Sequence, residues 1–571
     1  MKMLRIISPN NYRFSWKLIE FPIALVALNI QFWAGTTSNF LRLNTDDSTL
    51  IFSKSIYFGR NPSAFSGNPF LESNSSPTNT FLFEWLIGVF AKILNLTLSQ
   101  TEGLILFLTV NTLFLSIAFF LSSYIKFNNF YSFLSMQLIY FFSPILILRP
   151  ISPGLSLALT IILLKMLDWA TRHYFDLKLK HTLPMILGIS FLTFSYIYFA
   201  MTLTILSILL ITYYNRESTL NNRRDLLILL VTSMPVTFYV IYVIFWPNQG
   251  RDDMNFRWGV IESHFPGSLR TVLVTLLSIL VVMIFFEGPP RRLLLSLFTS
   301  LLILSNSQIL TGKSMEFDSH FYPLSLMGSI LALVITLNHF NEEANKRLKL
   351  SSKIFSHLFK GSLFLFCLYI SVNASHENRV YYSGLENQNV ARLSSIDDLR
   401  LKNLPNHLVI SAPSDIREEI PLVLNRKLLF SKPGVSFFPM TNYEVLERKV
   451  LDDYLQGDSS EFTFENLQEV FSRHFVNWSQ KTRYEKRISF FKVEDRDTAL
   501  RLKYDEYLNY ANNYKGKLME ENFLNEELDK YGIGAILQDS QTLGNGVRGF
   551  ICKFVSNEGA PLILCTRASN S

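Results

Sequence analysis

Long apolar runs alternate with short polar connectors over the first 375 positions, and the pattern changes sharply after that. The runs fall at roughly 17–36, 80–95, 103–122, 130–148, 152–168, 182–197, 198–213, 226–246, 269–286, 293–309, 321–338 and 356–374. Several approach the roughly 20 residues that cross a bilayer, and the shorter ones read as tilted, broken or re-entrant. Residues 1–375 are therefore expected to form a polytopic α-helical membrane region of about 11–12 hydrophobic segments, with an outer loop at 37–79. Beyond it, short apolar runs at 407–411, 427–430, 487–493, 533–537, 549–554 and 562–565 read as strands. Between them, 461–474 and 498–528 carry charge on a helical spacing. Residues 376–571 are thus expected to be a soluble α/β or α+β domain.

Composition supports this division. The 571 residues are 49% apolar and 17% charged, with 50 Phe and 24 Tyr, whereas a soluble protein carries roughly 25% charge. The net charge of +7 does not point to nucleic acid, since the soluble part shows no basic stripe interleaved with aromatics. Much of that charge sits in connectors, at 165–181 (Lys165, Arg172, Lys178, Lys180), 215–225 (Arg216, Arg223, Arg224), Arg291 with Arg292, and 341–360. Positive connectors mark the cytoplasmic side. Loops 37–79, 247–268 and 310–320 then lie outside, as does everything after 375. An inner N-terminus and an outer C-terminus need an odd number of crossings, so one of the twelve runs does not cross fully. The run 80–95, with Glu84, and the broken pair 182–213 are the two candidates.

Lys2, Arg5, Arg13 and Lys17 precede the first run in the charge order of a signal peptide. No small-residue cleavage site follows, so a retained anchor is expected. Cys367, Cys552 and Cys565 give no zinc spacing, and Cys552 could pair with Cys565 in an oxidising compartment. There is no nucleotide-binding glycine fingerprint and no internal repeat.

Candidate chemistry gathers in the outer loops. Asp46 and Asp47 follow the first membrane segment at the start of a short helix. Acidic residues cap such a turn in any protein, but a carboxylate there can also act as general base toward a hydroxyl, with its neighbour orienting it or holding a cation. Loop 247–268 holds Arg251, Asp252, Asp253, Arg257, Glu262 and His264, and loop 310–320 holds Lys313, Glu316, Asp318 and His320. Cations at headgroup depth suit a lipid phosphate, though Lys313 and His320 are equally an interfacial anchor pair. Glu84 lies within an apolar run, where an ionised group is costly and often functional.

At these residues the chain resembles the polytopic glycosyltransferases of the C-type (GT-C) superfamily, which includes protein O-mannosyltransferases and aminoarabinose and arabinofuranosyl transferases. Asp46 and Asp47 followed by Tyr57 resemble the family's acidic element after the first membrane helix. Pro77, Thr78, Asn79 and Trp85 are similar to its turn into a Trp-bearing helix, and Gly312, Lys313, His320 and Pro323 to its last outer loop. Many members carry Arg in that last loop, where this chain has His320. The resemblance implies inverting transfer of a sugar from a polyprenyl-phosphate donor to a glycan, lipid or protein acceptor, on the outer face of a bacterial inner (plasma) membrane. Asp46 or Asp47 would be the catalytic base. Tyr57, Glu84, Arg257, Lys313 and His320 would bind substrate, the last three steadying the departing phosphate. A divalent cation (Mg or Mn) near Asp46 and Asp47 is compatible with it, and the partners are membrane lipids rather than nucleic acid. The alternative is a transporter or lipid-linked glycan flippase, which would show inverted repeats and mid-membrane polar groups. A sensor or assembly factor would use the membrane part merely as an anchor, which needs far fewer crossings.

Overall fold

Apolar runs interrupted by few breakers form long helices, and their ends coincide with local caps. The computed structural model describes residues 20–34, 54–60, 70–71, 82–125, 128–143, 150–172, 179–215, 231, 233–238, 250–257, 259, 261–262, 269–311, 313–314, 318–347, 361–362, 365, 369, 408–424, 426–436, 439–458, 460–476, 478–479, 494–539, 549–556 and 562–567. The helix Leu98–Leu121 begins at a capping box, in which Thr97 Oγ1 accepts from the Gln100 backbone N–H and Gln100 Oε1 accepts from that of Thr97. Gly103–Leu121, Pro153–Arg172 and His320–Glu343 are long and apolar enough to cross a membrane. Shorter apolar helices, among them Ile197–Tyr213 and Arg270–Phe285, pack beside them. The chain is a polytopic α-helical membrane protein with a separate domain built on a mixed sheet.

Polar residues inside the apolar runs stitch the bundle together. Asn29 and Asn111 exchange side-chain hydrogen bonds of 3.0 and 3.1 Å. Thr275 meets Ser325 at 2.8 Å and Ser278 meets Ser329 at 2.6 Å, a two-step ladder between the helices Leu269–Phe285 and Asp318–Arg347. With no hydrophobic force between helices in lipid, such links and close packing hold them together.

Helix contacts place the run 80–95 at one end of the bundle. Tyr124, just past Leu98–Leu121, donates to Asp168 near the end of Ser156–Arg172, so these two helices run parallel, with Asn128–Phe142 returning between them. The connector after Arg172 leads into Leu179–Thr193, which comes back to the end where the pair began. There the Leu82 N–H donates to the Phe194 carbonyl at 2.9 Å. The helix Leu82–Ile93 also packs on the start of Leu98–Leu121 and on Pro150–Leu155. Its 12 residues span about 18 Å, short of the roughly 30 Å hydrocarbon core. It buries Glu84, Ile87, Gly88 and Ala91 and exposes Phe90 and Ile93. The pair 182–213 is two helices, Leu179–Thr193 and Ile197–Asn215. One connector shifts: Lys165 and Arg172 lie inside Ser156–Arg172 rather than in a loop, because Asp168 gives Arg172 a partner within the helix at 2.9 Å.

The C-terminal domain forms the sheet β4-β3-β5-β7-β6 from β3 (Val409–Ser411), β4 (Lys427–Leu428), β5 (Ile533–Asp539), β6 (Phe550–Ser556) and β7 (Leu562–Arg567). The first three are parallel and the last two antiparallel. Helices Asn442–Leu455, Phe464–Val470, Glu494–Lys517 and Glu521–Lys530 accompany the sheet, and the expected 498–528 helix divides between the last two. The expected strand at 487–493 lies outside the described residues. Cys552 and Cys565 face each other across β6 and β7 and are disulfide-bonded. Phe70 and Leu71 of the outer loop 37–79 join this domain's core, both fully buried. Leu428 donates its N–H to the Phe70 carbonyl at 2.6 Å.

Candidate active site at the outer end of the bundle

A glycine contact builds the floor of the site. Residues 54–60 are helical and cross Leu82–Ile93 at Gly59 and Gly88. A Cβ on Gly88 would lie 1.9 Å from the Ser55 carbonyl oxygen, and one on Gly59 would lie 2.4 Å from the Gly88 oxygen. Only two glycines allow backbones this close. One turn before Gly88, Glu84 shares its face of the helix and is 3% exposed. Lys54, also 3% exposed, acts electrostatically on it. The Glu84 Oε2 atom has no hydrogen-bond partner. A buried carboxylate oxygen with an open valence is costly, which marks it as a place where a ligand donor fits.

The wall of the site comes from the break between the helices that end at Thr193 and start at Ile197. Phe194 caps Leu82–Ile93 through its carbonyl. Tyr196 Oη and His320 Nδ1 share a hydrogen bond of 2.8 Å, and the Tyr198 ring stacks on His320 at 4.5 Å and 8°. One short stretch therefore joins the Glu84 helix to the His320 helix. The guanidinium of Arg270 sits 4.2 Å over the ring of Tyr322, which adds a cation at the same end.

The two later outer loops meet in a small ladder. β1 (Ile261–Glu262) pairs antiparallel with β2 (Lys313–Ser314), with Glu262 opposite Lys313. These loops thus face one compartment, as the charge pattern requires. Lys313 enters through its strand, which leads into the helix bearing His320.

Three assignments from sequence fare differently. Asp46 and Asp47, expected to be the base and any cation ligands, lie outside the described residues, as do Pro77, Thr78, Asn79 and Gly312. Tyr57 is half-buried in the loop helix, with Lys427 Nζ of the C-terminal domain 4.5 Å over its ring. Arg257 is buried against the C-terminal domain. Its Nε donates to the Val435 carbonyl at 3.0 Å and its Nη1 to the Met440 carbonyl and Asn442 Oδ1 at 2.9 and 2.7 Å. Burial pulls this guanidinium down to about 10, against Asp253 and Glu444, which raise it, so it stays charged at neutral pH. Among the described residues no three His, Cys, Asp or Glu gather to hold a metal ion.

Sequence reading missed Lys54, Tyr196, Tyr198 and Arg270. The signal for the tyrosines was present in SYIYF, a polar-aromatic interruption between two apolar runs. Lys54 gave none, because one lysine in a wet loop has no pattern.

Comparison with known proteins gives no matching protein family and no matching curated protein. Among solved structures, the chain is similar in course to ArnT from Cupriavidus metallidurans bound to undecaprenyl phosphate, at 11% identity and a TM-score of 0.47, covering 97% of this chain and 99% of that one. The apo state of the same protein gives 9% identity and the same TM-score, over 97% and 98% of the two chains.

Proposed function

We propose that this chain is a GT-C-type glycosyltransferase, moving a sugar from a polyprenyl-phosphate donor to an acceptor hydroxyl at the outer membrane face. One observation carries the reading. Glu84, with an oxygen left open, and His320, set by two tyrosines, belong to elements joined at the same end of the bundle.

In this reading Asp46 or Asp47 takes the proton of the acceptor hydroxyl as its oxygen attacks the anomeric carbon. The bond from that carbon to the phosphate oxygen breaks, its electron pair leaves with the lipid phosphate, and the configuration inverts. Lys313 and His320 neutralise the departing charge. Glu84 accepts a hydrogen bond from a substrate hydroxyl, and Tyr57 lines the entrance. The membrane is the inner membrane of a bacterium, and the acceptor is a glycan, lipid or protein.

The test is transfer of radiolabelled sugar from a panel of polyprenyl-phosphate donors by the purified full-length protein. Wild type, Asp46→Asn and Asp47→Asn are compared, with Mg2+, Mn2+ or EDTA added to read any cation dependence. Loss of the general base lowers the rate by roughly 10²–10⁴-fold. Both variants matching wild type in transfer and in cellular function would overturn the reading in favour of transport.

A further inference from the structure

The outer loop 247–268 is anchored at one end and paired with the candidate site at the other. At the anchor, Gly250 adopts φ +88°, and a Cβ there would lie 2.6 Å from the Met440 backbone carbon. The helix Arg251–Arg257 then docks on the C-terminal domain. Asp253 accepts from the Asn442 backbone N–H at 2.9 Å and from its side-chain amide at 3.2 Å, capping the helix Asn442–Leu455. Asn442 is fully buried. It accepts from Arg257 through Oδ1 and donates to Tyr507 at 2.8 Å. Phe256 stacks on His474 at 3.9 Å.

At the other end, β1 starts at Ile261, shortly after Arg257, and pairs with the Lys313 strand. A ladder of two residues per strand is not stable alone. Its position must come from whatever holds its flanks. On one side that is the His320 helix, and on the other the docked helix. An apolar residue would fill the Arg257 site at less desolvation cost. A guanidinium with three directed hydrogen bonds fixes a unique position as well.

We propose that Asp253, Arg257 and Asn442 form a positioning node through which the C-terminal domain sets the Lys313 strand against the departing lipid phosphate. This rests on the transferase reading for its consequence in catalysis, but the mechanical link stands on the contacts alone. The C-terminal domain is then part of the reaction apparatus, acting through β1 and β2.

Two readouts test it in the full-length protein. In the first, Ile261→Cys and Ser314→Cys, which are opposite in the ladder, are oxidised and the rate of cross-linking is followed. Arg257→Ala or Asp253→Asn lowers that rate about tenfold if the node holds β1, and Arg257→Lys restores part of it. Asp253→Asn keeps the shape of the side chain, so it reports even where Arg257→Ala folds poorly. In the second, Arg257→Ala raises the donor KM and lowers kcat/KM by roughly 10- to 100-fold, as a small displacement of a binding group does. It adds nothing further in a Lys313→Ala background. Unchanged cross-linking and an unchanged donor KM in folded Asp253→Asn protein overturn the node, as do additive effects of Arg257→Ala and Lys313→Ala. Slowed cross-linking in a protein whose wild type transfers no sugar keeps the node and removes the transferase reading.

Discussion

Among the described residues, the helical region buries two carboxylates, one at each end, and surrounds them differently. At the end opposite the candidate site, Asp168 is wholly buried. Its Oδ1 accepts from Tyr124 at 2.6 Å, its Oδ2 lies 2.9 Å from Arg172 Nη2, and the Arg172 guanidinium sits 5.1 Å over the Tyr124 ring. At the outer end, Glu84 is as deeply buried, but Oε2 accepts nothing. Neither Glu84 Oε2 nor Asp168 Oδ2 accepts a hydrogen bond, and the two differ in that Asp168 Oδ2 lies within ion-pair distance of Arg172.

The comparison breaks most visibly on substitution of the two acids. Glu84→Gln lowers sugar transfer by about 100-fold or more while moving the melting temperature less than Asp168→Asn does. Asp168→Asn strands the Arg172 charge and destabilises the detergent-solubilised protein by about 3 kcal/mol, with transfer per folded molecule unchanged. Equal losses of activity in both variants would dissolve the distinction.

Gly88→Ala sharpens the outer half of the argument. A methyl aimed at the Ser55 carbonyl must push the two short helices apart, costing about 1–3 kcal/mol and, with Glu84 displaced, most of the transfer activity. The corresponding outcome at an open glycine is nothing, so Gly103→Ala, with no atom within 4 Å of its added Cβ, is the control for thermal unfolding and transfer alike.

Asp452 repeats the ion-paired arrangement in the C-terminal domain, its Oδ2 again accepting no hydrogen bond. Ser411 donates to Oδ1 at 2.7 Å and Arg417 Nη2 lies 2.6 Å from Oδ2. Burial outweighs Arg417 and pushes this carboxyl up to about 6. Because its folded value is raised, its contribution to stability is full below about 3.8 and fades as pH rises through about 6. His474 has the opposite sign: burial, then Lys503, lowers it from 6.5 to about 4. Its contribution is present above 6.5 and is lost as pH falls toward 4. The two offset between pH 4 and 6. Asp452→Asn should therefore uncover the His474 slope, with stability falling on the order of 2 kcal/mol on acidification through that window. Thermal melts of the full chain across pH check this, and a flat profile in the variant would refute it.

The smallest effect belongs to the ladder in mid-bundle. Ser329→Ala removes the link to Ser278 and should cost about 0.6 kcal/mol in unfolding by denaturant, without any change in transfer.

Hydropathy alone determined the positions of the apolar helices and the β3, β4, β5, β6 and β7 strands to within a few residues. Burial of apolar side chains in lipid or in a sheet core writes itself as a run or an alternation, and turns break it at glycine, proline and polar clusters. The parity requirement likewise narrowed the non-crossing segment to 80–95 or 182–213. The tertiary structure adds the capping of Leu82 by Phe194, which ties 80–95 to the break between the two helices of 182–213. It also gave Arg257 its partners in the C-terminal domain, since an arginine in a polar loop reads the same whether its partner is a lipid or a carbonyl 178 residues away. Lys54 beside Glu84, and Tyr196 beside His320, are contacts between segments far apart in the chain. Periodicity encodes the face that a residue takes within its own element, and the partner across the gap is set by how the elements pack.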